Sequence, residues 1–378
     1  MMNILVDGRT WSHFSAGIST FFTGAILEWA QQCQDDRFYI LLPKGLDTKI
    51  ACQDIPENII LLDYRKRFPK RLPNIIILQW LVPRLCRRLH IDLYYAPVPH
   101  LPWFIPASTR TMVTIHDVVN MEMADTMLWT NRLATSVFFG PAVRKADLLW
   151  TNSYYTKSKV EEYFPQCRCQ EIMTGGAVDR QVFHPLTVSE VERQTLRQQY
   201  GIKQRFILFV GSLEPRKNLQ FLLSLMPELY ERHGLQLVVV GGKRWKSSAL
   251  RDIVEAPSFP QASTIFCGYV SNGQLAMLYN CAECLVSASL TEGLGMPQLE
   301  ALLCGCRVVT AHNTAMIEVA QDQEGAATVK GYDPQTWQQA ILNMINGQPQ
   351  VNQEQLAEYD WKRVVSRLRS YISKDTKL

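Results

Sequence analysis

The chain has 378 residues, with 39 Lys and Arg against 35 Asp and Glu, and therefore a net charge of +4. This length provides material for two domains, and the composition is that of an ordinary soluble globular protein. The small net charge excludes a global field for nucleic acid, and no apolar run reaches the roughly 20 residues that span a bilayer. Because the opening MMNILVDG lacks the basic region of a signal peptide, we expect a protein of the reducing cytoplasm.

Apolar segments with strand character alternate with helical stretches along the whole chain. Runs such as FILFV and LVVV are typical of parallel strands that are buried on both faces of a sheet. Helices between such strands imply β-α-β crossovers, so the sequence predicts an α/β fold with two doubly wound sheets. The predicted strands are Ile4–Val6, Phe38–Leu42, Ile59–Leu62, Leu93–Ala96, Met112–Ile115, Leu148–Thr151, Glu171–Thr174, Phe206–Val210, Leu237–Val240, Thr264–Cys267, Cys284–Ala288 and Arg307–Thr310.

The segment GAVDRQVFHPL, residues 176–186, is rich in turn formers and lacks a helical period. We place the hinge between the two domains there. The predicted domains are residues 1–180, the N-terminal domain, and residues 181–360, the C-terminal domain. A last helix, predicted from Trp361 to Ile372 within residues 361–378, is expected to pack back on the first domain.

Two turns in the first half carry candidate functional residues. Gly17 lies in a small-residue turn before a predicted helix, Thr20–Gln31, and this turn is interpreted either as a loop over a phosphate or an acceptor, or as an ordinary strand-to-helix turn. His116 and Asp117 end the strand MVTIHD. His116 is either a hydrogen-bonding partner for a substrate hydroxyl or a satisfied core histidine.

Residues 65–90 contain eight Lys or Arg and no Asp or Glu, with Tyr64, Phe68, Trp80 and Leu81 among or beside them. One interpretation is a patch that docks on an anionic membrane surface. The alternative is a solvated basic helix face. No recognition motif for nucleic acid accompanies the patch, so no nucleic-acid partner is expected.

The segment FVGSLEPRKNL places two cations, Arg216 and Lys217, after a buried strand and before an amphipathic helix, with Asn218 as its expected N-cap. Ligands of open α/β sheets bind at the carboxyl ends of strands. Arg offers planar bidentate contacts and Lys a point charge, which suits a pyrophosphate. The alternative is a solvated charged loop.

The most informative segment is VSASLTEGLGMPQLEALLCGCRVV, residues 286–309, a strand, loop and helix unit with Glu292 in the loop and Glu300 in the helix. Pro297 is expected at the first helical position and Gly305 in the left-handed cap after the helix. Beside a phosphate site, the two carboxylates suit sugar and ribose hydroxyls, which donate hydrogen bonds to them. The alternative is a helix cap with a surface glutamate.

Four cysteines flank the same unit, as a CxxC at Cys281 and Cys284 and a CxC at Cys304 and Cys306. Such spacings can hold zinc. Because the first pair borders a predicted buried strand, packing is the favoured interpretation, and no metal is expected.

Together these residues resemble the family 4 retaining glycosyltransferases, which have two facing Rossmann-like domains with a cleft between them, the GT-B architecture. The resemblance covers nearly the whole chain and rests on motifs at matching places. They are the E-x7-E pair Glu292 and Glu300, the PRKN loop Pro215–Asn218, the hinge Val178–Pro185 and the pair His116–Asp117. The DGR start and the GSLEPRKNL loop look most like bacterial mannosyl- and rhamnosyltransferases of O-antigen and exopolysaccharide assembly.

The resemblance implies a role for each matched residue. Arg216 and Lys217 would hold the donor diphosphate, Glu300 the ribose hydroxyls and Glu292 the donor sugar. The implied catalytic residues are Glu292, His116, Lys217 and Arg216. The implied donor-binding residues are Gly17, Ser212, Arg216, Lys217, Gly241, Tyr269, Val270, Gly293, Leu294, Gly295, Met296 and Glu300. Two departures weaken the match, since Ser212 stands where many relatives have Arg, and Gly17 is single where they often have two glycines.

The implied activity is retaining transfer of a sugar, with mannose from GDP-mannose as the first choice, to a glycan or polyprenyl-diphosphate-linked acceptor in cell-surface polysaccharide synthesis. The nucleotide sugar is a substrate, and no cofactor or metal is required. The alternatives are a nucleotide-sugar epimerase on the same fold and a catalytically silent scaffold of a glycan-assembly complex. The implied location is the cytoplasm, peripheral at the inner face of the plasma membrane through residues 65–90.

Overall fold

The computed structural model describes residues 1–12, 17–46, 54–65, 68–69, 72–122, 135–242 and 248–374. The chain forms two compact units, the first being Met1–Ala177 with Tyr359–Leu378 and the second Val178–Glu358. The chain thus leaves the first unit within the turn-rich segment 176–186 and returns to it two residues before the last helix. The sequence predicted this boundary at residue 180.

Each unit contains one sheet, and every described strand pair in it is parallel. The first unit has β1 (Asn3–Asp7), β2 (Arg37–Leu42), β3 (Ile59–Asp63), β4 (Leu93–Ala96), β5 (Arg110–Ile115), β6 (Leu148–Thr151) and β7 (Ile172–Thr174). The second has β8 (Arg205–Val210), β9 (Leu235–Val240), β10 (Thr264–Gly268), β11 (Leu285–Ser287), β12 (Val308–Ala311) and β13 (Ala326–Val329).

Most of the helices lie between these strands, and the last two follow β13. The helices are α1 (Arg9–Ser12), α2 (Ile18–Gln32), α3 (Asn74–Arg88), α4 (Val119–Glu122), α5 (Gly140–Lys145), α6 (Tyr154–Tyr163), α7 (Glu190–Tyr200), α8 (Leu219–His233), α9 (Ser248–Glu255), α10 (Asn272–Cys281), α11 (Met296–Leu303), α12 (Met316–Ala320), α13 (Pro334–Gly347) and α14 (Trp361–Lys374). Shorter turns are a π-helical one at Thr135–Phe139 and 3₁₀ turns at Pro215–Lys217, Gln261–Ser263 and Gln355–Glu358. No helix in the described part of the chain combines the length and apolarity needed to cross a bilayer.

The order of the strands shows where, in each sheet, the chain changes the side on which it adds strands. Over the described residues the first sheet runs β3-β2-β1-β4-β5-β6-β7 and the second β10-β9-β8-β11-β12-β13. In both sheets the chain first builds one way and then continues on the other side of the starting strand. This is the doubly wound pattern, in which ligands bind beyond the carboxyl ends of the strands near the reversal. The reversal in the second unit lies between β8 and β11.

The predicted fold class, α/β with two doubly wound parallel sheets, is confirmed. Every predicted strand is present, and its ends differ from the prediction by no more than two residues. The sequence missed β13, the strand AATV at the edge of the second sheet, which is only half-buried. A short edge strand lacks the continuous apolar run that marks a strand covered on both faces, such as β9, in which all six residues are buried.

The last helix, α14, packs within the first unit. Its apolar residues recur every three or four positions and form one buried stripe: Trp361, Val364, Val365, Leu368, Tyr371 and Ile372. Arg110 of β5 donates a hydrogen bond to the Ile372 carbonyl oxygen at 2.9 Å. Gly24 in α2 provides room for the start of the helix, because a Cβ atom there would lie 2.2 Å from Nε1 of Trp361.

This contact gives a test of the α2–α14 packing. Alanine is favoured over glycine in a helix by up to about 1 kcal/mol, yet Gly24→Ala should lower the melting temperature because its methyl group overlaps the Trp361 ring. The expected loss of unfolding free energy is about 1–3 kcal/mol. Gly273→Ala is the matched control, since Gly273 is an exposed helical glycine with nothing within 4 Å of a Cβ atom. Equal melting temperatures of the two variants would contradict the packing.

Candidate functional site

The carboxyl ends of β8, β9 and β10 in the second unit lie side by side. The Gly211 amide after β8 donates to the Val240 carbonyl at 3.0 Å, and the Gly241 amide after β9 donates to the Gly268 carbonyl at 2.9 Å. A Cβ atom on Gly241 would lie 1.9 Å from the Gly211 carbonyl oxygen. Position 241 therefore excludes any side chain. Two predicted donor-binding residues, Tyr269 and Val270, follow β10 on the same edge, and the Tyr269 side chain is 66% exposed.

The predicted cation loop follows β8 on this edge. Pro215–Lys217 forms a 3₁₀ turn, and α8 begins at Leu219. Asn218 lies at the N-cap position as predicted, but its backbone is left-handed, with φ 53°, and its side chain makes no capping hydrogen bond. The expected side-chain cap is therefore wrong. The tight turn directs Lys217 inward, where only 7% of the residue is exposed.

Lys217 and Arg216 meet Glu292, which lies in the loop after β11. The Lys217 ammonium donates to Oε1 of Glu292, and Nη1 of Arg216 donates to Oε2 at 3.3 Å. The Ser289 hydroxyl donates to Oε1 at 2.8 Å. Arg216 also donates through Nε to Glu214 at 3.0 Å. The sequence analysis assigned these two cations and this carboxylate to one site, but it did not predict that they pair with each other.

This pairing sets the charge state of Glu292. Burial alone would raise the pKa of its carboxyl group, but the positive charges of Lys217 and Arg216 and the hydrogen bonds outweigh burial, so the pKa is lowered. Glu292 is therefore an anion at neutral pH. Lys217 and Arg216 together face two carboxylates, Glu292 and the more exposed Glu214, so the charges of the group balance, and the group lies next to the N-terminus of α8, which favours anions.

Glu300, the second carboxylate of the pair, has a different environment. It lies inside α11, is buried, and accepts a hydrogen bond at 2.9 Å from the Tyr279 hydroxyl of α10. Burial raises the pKa of Glu300 to about 7, against an opposing effect of the Tyr279 hydrogen bond. A buried carboxyl group with this pKa readily exchanges its proton for a hydrogen bond from a ligand hydroxyl.

The loop between the two carboxylates turns on Gly295, which has φ 81° and is the N-cap of α11. Gly293 and Leu294 are buried, and Met296 is the first helical residue. Pro297 therefore occupies the second helical position, one later than predicted. The helix ends at Leu303, and Gly305 follows with φ 75°, as the predicted left-handed cap requires. Ser212, the remaining residue predicted here, follows Gly211 after β8.

The two predicted residues of the first unit lie at strand and helix ends. Gly17 has φ 85° and is the N-cap of α2, a backbone conformation that favours glycine. His116 follows β5, and its Nε2 contacts the Pro97 carbonyl at 2.9 Å, so Nε2 carries the proton. Burial lowers the pKa of His116 to about 4, which leaves a neutral ring. The implied contact of His116 with a donor sugar stays a prediction.

Four residues at the site were missed by the sequence analysis. Ser289 donates to Glu292, and Tyr279 donates to Glu300. Asn313 and Thr314 follow β12, the next strand along the sheet, and contact the Glu292 loop. The sequence could have indicated Asn313 and Thr314 by their position, since polar residues that follow a buried strand lie at the ligand-binding edge of a parallel sheet.

The zinc interpretation of the four cysteines is not favoured by their environment. Burial raises the pKa of both Cys304 and Cys306 to about 12, and it raises that of Cys284 well above its usual range. In these surroundings the three thiols are protonated at neutral pH. Within the described ranges, no three His, Cys, Asp or Glu side chains converge where they could hold a metal ion.

The chain is similar in sequence to known glycosyltransferases. The family model of glycosyl transferases group 1 matches residues 204–347, which include β8 to β13. The serotype-specific mannosyltransferase WbdA of Escherichia coli is 28% identical over 244 residues, which are 61% of this chain and 28% of WbdA. The O-antigen chain mannosyltransferase B of E. coli is 27% identical over 234 residues, 61% of this chain and 59% of that protein. The chain thus spans less than two thirds of either relative.

Solved structures of low sequence identity share the fold. HepE from Anabaena, in complex with UDP-glucose, aligns over 100% of both chains with a TM-score of 0.72 and 17% identity. WaaG, a glycosyltransferase involved in lipopolysaccharide biosynthesis, aligns over 96% of this chain and 94% of its own, with a TM-score of 0.67 and 16% identity.

The raised pKa of Glu300 gives a test of its burial. The folded chain holds the Glu300 proton up to about pH 7, whereas the usual value of 4.5 applies to the unfolded chain. Stability is therefore lost as pH rises from about 4.5 to about 7, by about 3 kcal/mol in all. Glu300→Gln stays neutral and still accepts from Tyr279, so it should be more stable than the parent at pH 8.

The measurement is unfolding free energy of parent and variant between pH 5 and pH 8, with Glu231→Gln, an exposed carboxylate of α8, as the control. The Glu300→Gln advantage should shrink as the pH falls, while the control shows no such trend. An advantage that is equal at both ends of the range would contradict the buried, proton-binding environment of Glu300.

Proposed function

We propose that the protein moves a sugar from a nucleotide-sugar donor to a glycan or lipid-linked acceptor, and the match of residues 204–347 to the family model of glycosyl transferases group 1 supports this proposal. The observation that carries the proposal is the contact of Lys217 and Arg216 with Glu292. It joins the carboxyl ends of β8 and β11, where the sheet reverses and where doubly wound folds bind their ligands.

The diphosphate of the donor takes the two cations. Its charge competes with Glu292 and Glu214 for Lys217 and Arg216, and a diphosphate offers these cations more negative charge than a single carboxylate does. When the bond between sugar and phosphate breaks, more negative charge develops on the leaving nucleotide. Lys217, Arg216 and the N-terminus of α8 are fixed before the reaction, so they stabilise that charge without reorganising. The chemistry of these residues therefore requires neither metal nor cofactor.

The two carboxylates take hydroxyl groups of the donor. Glu292, released in part from its cations and ionised, accepts hydrogen bonds from the sugar near the reacting carbon. Glu300 accepts from the ribose hydroxyls, a role that its pKa of about 7 supports because ligand hydroxyls favour the ionised form. Gly295 and Met296 contribute backbone amides at the start of α11.

We propose that the transfer retains the configuration at the reacting carbon. The acceptor hydroxyl attacks the face from which the nucleotide leaves, and its proton passes to the departing phosphate oxygen. The new glycosidic bond forms as the bond to phosphate breaks, so no covalent intermediate with a protein side chain is needed.

Mannose from GDP-mannose is the donor that we propose, with an acceptor in cell-surface polysaccharide. The support is the similarity to two E. coli mannosyltransferases, one of which is named for the O-antigen chain. The competing base is uracil, because HepE of the same fold holds UDP-glucose. An epimerase on the same fold would change the free sugar with no acceptor present, and a silent scaffold would leave the donor intact.

Substitution of the charged group tests the reaction class. Lys217→Ala and Glu292→Gln should each lower transfer from the donor by about a hundredfold or more, because each removes a group that stabilises the transition state. Product analysis by mass spectrometry, with and without acceptor, measures the effect. Lys203→Ala is the control, since Lys203 is an exposed lysine in the loop before β8.

Melting temperature and circular dichroism establish that each variant is folded at the assay temperature. Unchanged turnover in both variants would contradict the assignment of Lys217 and Glu292 to the catalytic site. A changed free sugar without acceptor would replace transfer by epimerisation, and an intact donor with the parent protein would favour the scaffold.

The basic segment 65–90 forms a second feature of functional interest, and residues 66–67 and 70–71 of it lie outside the described part of the chain. Its helix α3 presents Ile76, Trp80, Arg84 and Arg87 at spacings of three or four residues, with Trp80 72% exposed. The side chain of Gln79 accepts a hydrogen bond from the Trp103 amide at 2.9 Å. This bond brings a second exposed pair, Trp103 (55%) and Phe104 (62%), beside the helix. We name these six residues the α3 surface.

We propose that the α3 surface docks on a bilayer that contains anionic lipids. Exposed tryptophan and phenylalanine suit the boundary between headgroups and acyl chains, and arginine suits anionic headgroups. A lipid-linked acceptor would be presented at such a bilayer. The proposal places the protein at the inner face of the plasma membrane.

Vesicle binding tests the α3 surface. The parent should float with vesicles that contain phosphatidylglycerol and not with pure phosphatidylcholine, and added salt should weaken the binding. Arg84→Gln with Arg87→Gln should weaken it by about tenfold to thirtyfold, at about 1 kcal/mol for each charge. Trp80→Ser should weaken it too, whereas Val191→Ser, at an exposed apolar residue of the second unit, should not. Absence of binding at low salt would show a solvated helix face instead.

A further inference from the structure

Four consecutive residues, Ser289–Glu292, connect β11 to the Gly-rich turn and carry the Glu292 side chain; they are called the Glu292 segment. Its backbone is hydrogen-bonded at each of its four residues, and Nη1 of Arg216 donates to the Thr291 carbonyl at 3.5 Å. The Leu290 amide donates to the Arg216 carbonyl at 2.7 Å. The two ends of the segment are bonded to Asn313 and Thr314, adjacent residues in the loop after β12.

Asn313 holds the first end of the segment. Its Nδ2 donates to the Ser289 carbonyl at 3.1 Å, and the Tyr332 hydroxyl donates to the same oxygen at 3.1 Å. Tyr332 in turn stacks on Trp337 of α13, with the ring planes 8° apart. The first end of the Glu292 segment is therefore fixed to packed aromatic residues.

Thr314 holds the second end. Its Oγ1 accepts a hydrogen bond from the Glu292 amide at 3.1 Å and donates to Oδ1 of Asn313 at 3.3 Å. The Thr314 backbone is left-handed, with φ 49°. A β-branched residue adopts this conformation rarely and at a cost of about 1–3 kcal/mol, and such strain is concentrated at functional sites. Asn or Gly would remove the strain, but neither places a hydroxyl group at this point.

We propose that Thr314 is a positioning residue for sugar transfer, which with Asn313 clamps the Glu292 segment so that the carboxylate keeps its place when the diphosphate takes Lys217 and Arg216. Glu292 needs such a support because the diphosphate replaces it as the partner of Lys217 and Arg216. In the unliganded site the cations orient the Glu292 side chain. Once they turn to the diphosphate, the backbone bond to Thr314 and the Ser289 hydroxyl remain to orient it. This inference rests on the proposed function.

Three substitutions separate the possible contributions of Thr314. Thr314→Val keeps the shape and the strain but cannot accept the Glu292 amide. Thr314→Ser keeps the hydroxyl group. Thr314→Gly removes the hydroxyl group and the strain together. Thr195→Val is the matched control, because the exposed Thr195 hydroxyl donates only within its own helix, to the Val191 carbonyl at 2.8 Å.

The first measurement is hydrogen exchange of the Glu292 amide, which does not depend on any substrate. Loss of its acceptor in Thr314→Val should speed its exchange by about fivefold or more, and Thr314→Ser should exchange like the parent. The second measurement is kcat at saturating donor and acceptor. Displacement of a reacting group by about 1 Å can reduce rate by about a hundredfold. We therefore expect kcat to fall about tenfold to a hundredfold in Thr314→Val and Thr314→Gly, and to recover in Thr314→Ser.

The affinity for the nucleoside diphosphate alone should stay within about threefold of the parent in all variants, because the clamp acts on Glu292 and not on the cations. Exchange and kcat of Thr314→Val equal to those of Thr195→Val would overturn the clamp. Equal losses in Thr314→Ser and Thr314→Val would assign the effect to packing. If the parent transfers no sugar, the proposed function fails, while amide exchange still decides whether Thr314 holds the segment.

Discussion

The contact between Lys217 and Glu292 is the interaction on which the rest of the site depends. Both side chains are largely buried, and a buried charge without a partner is costly. The pair therefore requires the loops after β8 and β11 to stay together, which in turn fixes the turn Pro215–Lys217 and the Glu292 segment. Arg216 adds a second cation, which contacts both Glu292 and the more exposed Glu214.

The same constraint separates the two carboxylates of the E-x7-E pair. Glu292 has cations within contact and a lowered pKa, whereas Glu300 is buried against Tyr279 and has a pKa of about 7. Neighbouring acids with different environments can divide roles within one ligand site. Here the division follows the position of the cations, because both residues have the same small exposure of 9%.

Much of the fold followed from the sequence, because strands covered on both faces must be apolar throughout. Runs such as β8 and β9 therefore marked the sheets and, through their ends, the edge on which Arg216, Lys217 and Glu292 lie. The pairing of these residues was not predictable, since it joins positions 75 or more residues apart in the chain. β13 was missed because an edge strand needs fewer apolar residues.

Backbone conformation accounts for the remaining differences. Asn is a residue type that often caps helices with its side chain, but the 3₁₀ turn before Asn218 requires a left-handed backbone at that position. Thr314 shows the opposite case. A threonine rarely adopts a left-handed backbone, and the hydrogen bond that Thr314 accepts from the Glu292 amide compensates for this strain. In both cases the neighbouring turn, and not the residue's own preference, decides the conformation.

The central claim is that a diphosphate displaces Glu292 from Lys217. Thermal unfolding with GDP, UDP and dTDP, in the parent and in Lys217→Ala, tests it most directly, because a ligand that binds the folded state raises stability by mass action, by about 2.7 kcal/mol at a hundredfold excess over Kd. At least one of the three nucleotides, with GDP expected first, should raise the melting temperature of the parent and raise that of Lys217→Ala much less. No stabilisation by any of them, or equal stabilisation of both proteins, would contradict the assignment of this site to a nucleotide sugar.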